Sequence, residues 1–262
     1  MISLFLLKPF LALLFITISC SLLGVFVLWK KLAYFGDGLS HSILLGFVLG
    51  ALLDCSQIAS LAFFSLFFAF LVSLASRNSH FSKDTVIAIS SYFCIALAII
   101  LNDIFAQNLN FNSYVFGDIL TVGNQEIYAL AIISILTIIY TFFAFRKILL
   151  ININSDLARI EGIRTQFWNL SFLILLSLTI SFSVKIVGVF LMTALLVLPA
   201  AIARIWSFSA KQMMFLSAFI SLISAVISFK VADSYNLTIS SSIIATFCII
   251  FLSSLFIKKL SN

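Results

Sequence analysis

PFLALLFITISCSLLGVFVL, residues 9–28, runs for twenty residues without a charge. A helix of that length rises about 30 Å, the thickness of a bilayer's hydrocarbon core. A lipid-embedded backbone must satisfy its own hydrogen bonds, so such a stretch spans as a helix. A transmembrane barrel would need alternating strands of about ten residues, and no such alternation is present. The stretch reaches Leu28 without a small-residue cleavage site, so it reads as a retained helix and not as a signal peptide.

The rest of the chain repeats this pattern. Of its 262 residues, 63% are hydrophobic and 9% charged, with a mean hydropathy of +1.25. Soluble domains are about 45–50% apolar and 25% charged, so the composition is that of an integral membrane protein. Polar punctuation divides the chain into about nine spans, near 9–28, 36–53, 57–76, 85–101, 126–145, 167–184, 186–203, 212–229 and 238–257, with eight as the alternative count. The sixth and seventh are separated only by Lys185. The expected fold is all-α, a polytopic transmembrane helical bundle. With two prolines, nine glycines and no flexible linker, residues 1–262 read as one domain.

Charge orients the bundle. Nine spans put Lys30, Lys31, Arg77, Lys83, Arg146, Lys147, Arg159, Arg164, Arg204, Lys211, Lys258 and Lys259 on one side, leaving only Lys8, Lys185 and Lys230 of the fifteen basic residues on the other. By the positive-inside rule the richer side is cytoplasmic, with the N-terminus outside and the C-terminus inside. The net charge of +6 is scattered, without the aromatic-interleaved basic stripe of a nucleic-acid binder. Cys20, Cys55, Cys94 and Cys248 stand far apart and suggest neither a zinc knuckle nor a disulfide framework. His80 reads as a solvated loop residue. The chain lacks GxxxxGK[ST], GxGxxG and HExxH, so it neither hydrolyses nucleotide nor resembles a zinc protease.

Against this background FGDGLSHSILLG, residues 35–46, is anomalous. Asp37 and His41 are i and i+4, on one face of a helix. A carboxylate and an imidazole so placed can share a divalent ion, and this donor set suits zinc, manganese or iron better than magnesium or calcium. The alternative is that Asp37 caps the second helix and His41 bonds to a neighbouring one. Gly46 and Gly50 form a GxxxG for close helix packing. In the longest cytoplasmic segment, NSDLARIEGI spaces Leu157, Ile160 and Ile163 by three; Asn154 or Ser155 can cap it and Gly162 can end it, giving a short amphipathic helix over 155–163 that lies on the membrane or docks into a partner. In VGVFLMTALLVLPAAIAR, residues 187–204, Pro199 should kink a helix whose small residues admit a close neighbour.

Taken together, FGDGLSHSILLG, KDTVIAI at 83–89, DLARIEGI at 156–163 and VGVFLMTALLVLPAAIAR resemble, in order and spacing, the membrane permease subunit of bacterial ABC importers for zinc, manganese and iron. The resemblance covers nearly the whole chain. It implies a bacterial inner-membrane permease, a homodimer or pair of permeases with a path between them, a cytoplasmic ATP-binding subunit that hydrolyses ATP, and an external metal-binding protein. It implies no permanently bound cofactor: the zinc, manganese or iron is cargo. Asp37 and His41 would line its path. The segment containing Ser155, Asp156, Leu157, Ile160, Gly162 and Ile163 would be the coupling helix, and Gly46, Gly50, Gly188 and Pro199 packing or kink positions. A secondary cation transporter working without an ATPase is the alternative. Asp37 and His41 fall near the inner end of the second span, so either residues 34–39 line a cavity with irregular backbone or the pair sits near the exit.

Overall fold

The computed structural model describes residues 6–78, 82–105 and 117–261; His80 lies outside them. The chain forms ten helices among those residues, and no strand: α1 Leu7–Trp29, α2 Ala33–Leu52, α3 Gln57–Asn78, α4 Lys83–Ile104, α5 Asn124–Ile153, α6 Ser155–Ile160, α7 Thr165–Val187, α8 Val189–Trp206, α9 Ala210–Tyr235 and α10 Ile239–Ser261. A 3-10 turn, Ile119–Thr121, precedes α5. Nine helices fall on the nine expected spans. Eight of them are long and apolar enough to cross a bilayer, and α8, apolar over Leu191–Trp206, is the short one.

Several boundaries differ from the sequence reading: α5 runs to Ile153 and α9 to Tyr235, past the 145 and 229 expected. The sixth and seventh spans do not part at Lys185, which lies in the last turn of α7. They part at Gly188, whose φ of 87° and ψ of 158° belong to a region that side chains rarely enter. Helix α8 then continues through Pro199 to Trp206. The second helix starts at Ala33, so residues 34–39 are regular helix, and the expected alternative of an irregular cavity-lining loop is set aside.

Lipid is as apolar as a leucine side chain, so helices in it associate through close packing and interhelical hydrogen bonds. Both are present. A Cβ placed on Gly24 of α1 would stand 1.9 Å from the Leu196 carbonyl oxygen of α8. On α2, a Cβ at Gly46 would lie 2.7 Å from Phe64 Cβ, and one at Gly50 2.6 Å from Ser60 Oγ, both on α3. Hydroxyls join α9 to its neighbours: Ser217 donates to the Ser21 carbonyl at 2.9 Å, Ser221 to that of Thr17 at 3.2 Å, and Ser242 of α10 to that of Ser228 at 3.1 Å. Each such bond contributes roughly 0.6 kcal/mol in a bilayer.

These contacts also sort the helix ends. Pairing of 217 with 21 and of 221 with 17 makes α9 antiparallel to α1, and Phe10 meets Phe229 at 5.1 Å. Trp29 at the end of α1 packs on Phe145 of α5 at 6.0 Å. Lys258 of α10 donates to the Ile205 carbonyl at the end of α8 at 2.6 Å. One end of the bundle therefore gathers the ends of α1, α5, α8 and α10 with the starts of α2, α7 and α9, together with α6. At the opposite end Glu126 of α5 holds Lys185 of α7 at 2.6 Å, and Ser240 of α10 donates to the Val187 carbonyl at 3.0 Å.

Candidate functional site

Helix α2 is wedged among its neighbours on most of its circumference. Gly36 faces Thr193 and Leu196 of α8, Gly38 faces Ile87 and Ser91 of α4, and Phe35 meets Phe68 of α3 at 6.2 Å. The glycines are what allow that approach, since a Cβ at Gly38 would lie 2.4 Å from Ile87 Cγ2. The face left open carries Tyr34, 63% exposed, and one and two turns on, Asp37 and His41, whose side chains are 46% and 33% exposed.

His41 Nε2 lies 3.5 Å from Asp37 Oδ1. The N-cap of α2 is Leu32, with no side-chain cap, so Asp37 does not cap the helix, and the ion-pair partner of His41 is on its own helix. Asp37 is the fifth residue of α2 and His41 the ninth, so at about 1.5 Å per residue they stand roughly 6 and 12 Å from the α2 start, in the half of the bundle nearer α6. Among the described residues no group of three or more His, Cys, Asp or Glu side chains converges. A carboxylate and an imidazole open to one side hold an ion by two ligands and leave its other positions free, which suits a site that must release what it binds.

Helix α6 lies at the same end of the bundle. Asn154 caps it, its Oδ1 accepting from the backbone of Asp156 at 2.9 Å and Leu157 at 3.1 Å. The helix is shorter than the 155–163 expected: it stops at Ile160, and Gly162, at φ 77°, carries the chain out, with Ile163 N donating to the Ala158 carbonyl at 3.0 Å. Ile163 thus lies beyond the helix and is half-buried. Ala158 faces inward at 0% exposure, while Leu157 and Ile160 stand out at 46% and 86%. Asp156 and Arg159 pair across one exposed turn at 3.5 Å. Beside α6 opens a groove of about 420 Å³ lined by Lys147, Glu161, Gly162, Arg164, Phe167 and Trp168, among others. The sequence stretches KDTVIAI and VGVFLMTALLVLPAAIAR supply walls around α2, through Ile87 and Leu196.

The ABC 3 transport family matches residues 3–258. The chain belongs to that family. It is 30% identical over 238 residues to the high-affinity zinc uptake system membrane protein ZnuB of Haemophilus influenzae, covering 90% of this chain and 91% of the relative. It is 27% identical over 242 residues to the manganese import system permease protein ScaB of Streptococcus parasanguinis, covering 92% and 86%. Its fold superposes on a chain of PsaBC from Streptococcus pneumoniae, solved in complex with Fab, with a TM-score of 0.85 at 27% identity, covering 99% of this chain and 96% of that one. As an ABC 3 family member the chain is a membrane-spanning permease subunit of an ABC importer, not an ATPase-free secondary transporter, and it is not itself catalytic.

Sequence reasoning missed two features of this permease. One is a knot of aromatic side chains under Lys30, between the ends of α1 and α5 and the start of α7. The other is a cavity of about 930 Å³ at the opposite end, lined by Asp118, Asp233, Asn236 and Thr238 among others. Neither has a local signature: the knot is built from residues that as a sequence read only as apolar filling, and the cavity from segments far apart in the chain.

Proposed function

We propose that this permease carries a divalent transition metal, zinc or manganese, with iron as the remaining candidate of the same chemistry, and that Asp37 and His41 touch the ion in passage. The observation that carries this is their geometry: a carboxylate and an imidazole one turn apart, half-exposed, on a bundle that exposes many large apolar side chains. Ionisable groups facing hydrocarbon are costly, so this face wants a polar environment. A second copy of the chain laid against it would enclose both pairs in a watered path between protomers. Relatives named for zinc and manganese handling point to the same cargo.

In this reading α6 meets a separate cytoplasmic ATP-binding subunit that hydrolyses ATP, Leu157 and Ile160 entering a groove of that partner, and the opposite end receives an external metal-binding protein. Twelve basic residues at the α6 end favour a cytoplasmic α6 and C-terminus and an outside N-terminus, in a bacterial inner membrane. The test is labelled zinc, manganese and iron uptake by cells that depend on this permease, carrying Asp37→Ala or His41→Ala, with membrane abundance checked by blotting. Loss of uptake at normal abundance is expected. Parental uptake in both variants would show that the pair is structural.

A further inference from the structure

Lys30 and Lys31 stand side by side in the turn between α1 and α2, and they are placed differently. Lys31, at φ 54°, is exposed. Lys30 turns inward: its Nζ donates to Asn169 Oδ1 of α7 and lies over the Phe172 ring, 5.5 Å from the centroid. Burial, with the charge of Lys83 adding to it, pushes the ammonium down to about 8. A charge drawn inward next to a membrane is expensive, and a lysine that served only to orient the bundle would stay in water as Lys31 does.

What Lys30 holds is the start of α7. Asn169 is the fifth residue of that helix, and α6 is joined to it by only residues 161–164. The start of α7 is in turn locked to α1 and α5. Phe172 meets Phe26 edge-on at 6.0 Å, Phe26 meets Trp29 at 5.7 Å, and Trp29 meets Phe145 at 6.0 Å. Tyr140 donates to the Trp168 carbonyl at 3.2 Å, and Lys147 lies over the Trp168 ring at 4.2 Å. Helix α6 packs on α5 and α7, so a push on α6 reaches this body first.

From Lys30 the chain enters α2 through two residues, and that turn is tight. Lys30 N donates to the Phe26 carbonyl at 2.9 Å, Leu32 N to that of Val27 at 3.0 Å, and Phe35 N to that of Leu32 at 3.0 Å, with Leu32 4% exposed. Asp37 follows seven residues after Lys30. We propose that the Lys30–Asn169 contact is the link that passes movement of α6 to α2, so that Lys30 is a positioning residue for the Asp37–His41 pair. This rests on the permease reading above.

The experiment uses the permease purified with its ATP-binding subunit in proteoliposomes, and reads metal moved per ATP hydrolysed. Lys30→Met and Asn169→Leu are each expected to keep ATP hydrolysis while metal per ATP falls about tenfold, with the double variant no worse than either single one. Lys30→Arg should retain most of the ratio, and Lys31→Met, which removes the same charge one residue away, should leave it at the parental value. A second readout needs no metal: with Cys55 and Cys248 replaced by Ser, the labelling rate of Tyr34→Cys should change on adding ATP, and that change should vanish in Lys30→Met and in Asn169→Leu. If uptake by Asp37→Ala is parental but the ATP-dependent labelling still requires Lys30, the metal-site reading fails and the link stands. Parental metal per ATP in Lys30→Met, or ATP-dependent labelling that survives both variants, overturns the link.

Discussion

Gly24 of α1 faces the backbone carbonyl of Leu196 so closely that a Cβ there would stand 1.9 Å from the oxygen. Backbone cannot swing aside as a side chain can, and α8 is also held against α2 through Gly36 and Leu196. Gly24→Ala should therefore lower stability by at least the roughly 1–3 kcal/mol typical of overpacking. The measurement is thermal unfolding of the detergent-purified protein. Gly162→Ala is the comparison: its φ of 77° strains the backbone, but nothing lies within 4 Å of the added carbon, so about 1–2 kcal/mol is expected.

On α6 the exposed pair Leu157 and Ile160 is expected to carry the contact with the ATP-binding subunit. An aspartate at either place would bury an unpaired charge in that contact, at a cost of about 3–5 kcal/mol. Leu157→Asp and Ile160→Asp should abolish co-purification of the partner while leaving the permease in the membrane at parental abundance. Undiminished co-purification would move the contact elsewhere.

A third ligand should turn a passing site into a holding one, and the structure says where to put it. Ser40, next to the pair in sequence, is 1% exposed and packed away from the open face. Tyr34 is on that face, one turn from Asp37. Tyr34→His should make the purified protein retain zinc through desalting and slow uptake by about tenfold or more, whereas Ser40→Asp should mainly reduce folded yield. Metal analysis after gel filtration distinguishes the two.

Lys30 also sets a pH dependence. Its native value is about 8, against an ordinary lysine value of 10.5, so between those pH values the unfolded chain holds a proton that the folded one has released. Stability contributed at this position therefore rises with pH through that window, and the charge is a burden below it. The thermal midpoint of the parent minus that of Lys30→Met should increase from pH 7 to pH 10. A flat or falling difference would mean that Lys30 is solvated in the native state.

Much of this molecule follows from its sequence because lipid leaves so few options. A charge-free stretch of twenty residues has to be a helix that crosses, so nine windows marked nine helices, although α5 and α9 run past the expected ends to Ile153 and Tyr235, and Asn154 followed by Leu157 and Ile160 marked α6. Asp37 and His41 stood out for the same reason, since charge inside apolar sequence is costly wherever the chain goes. Tertiary structure decided what depends on neighbours. The break between α7 and α8 falls at Gly188 and not at Lys185, because a lysine is tolerated in a last turn when Glu126 of a distant helix meets it, while only the glycine takes a φ of 87° without strain. Which face of α2 opens depends on where α3, α4 and α8 press against it, and the sequence ranks Ser40 and Tyr34 alike. Lys31 and Lys30 are the same residue type at adjacent places; one is exposed and the other is half-buried against Asn169 and Phe172, because burial is a property of the three helix ends that meet there and not of either lysine.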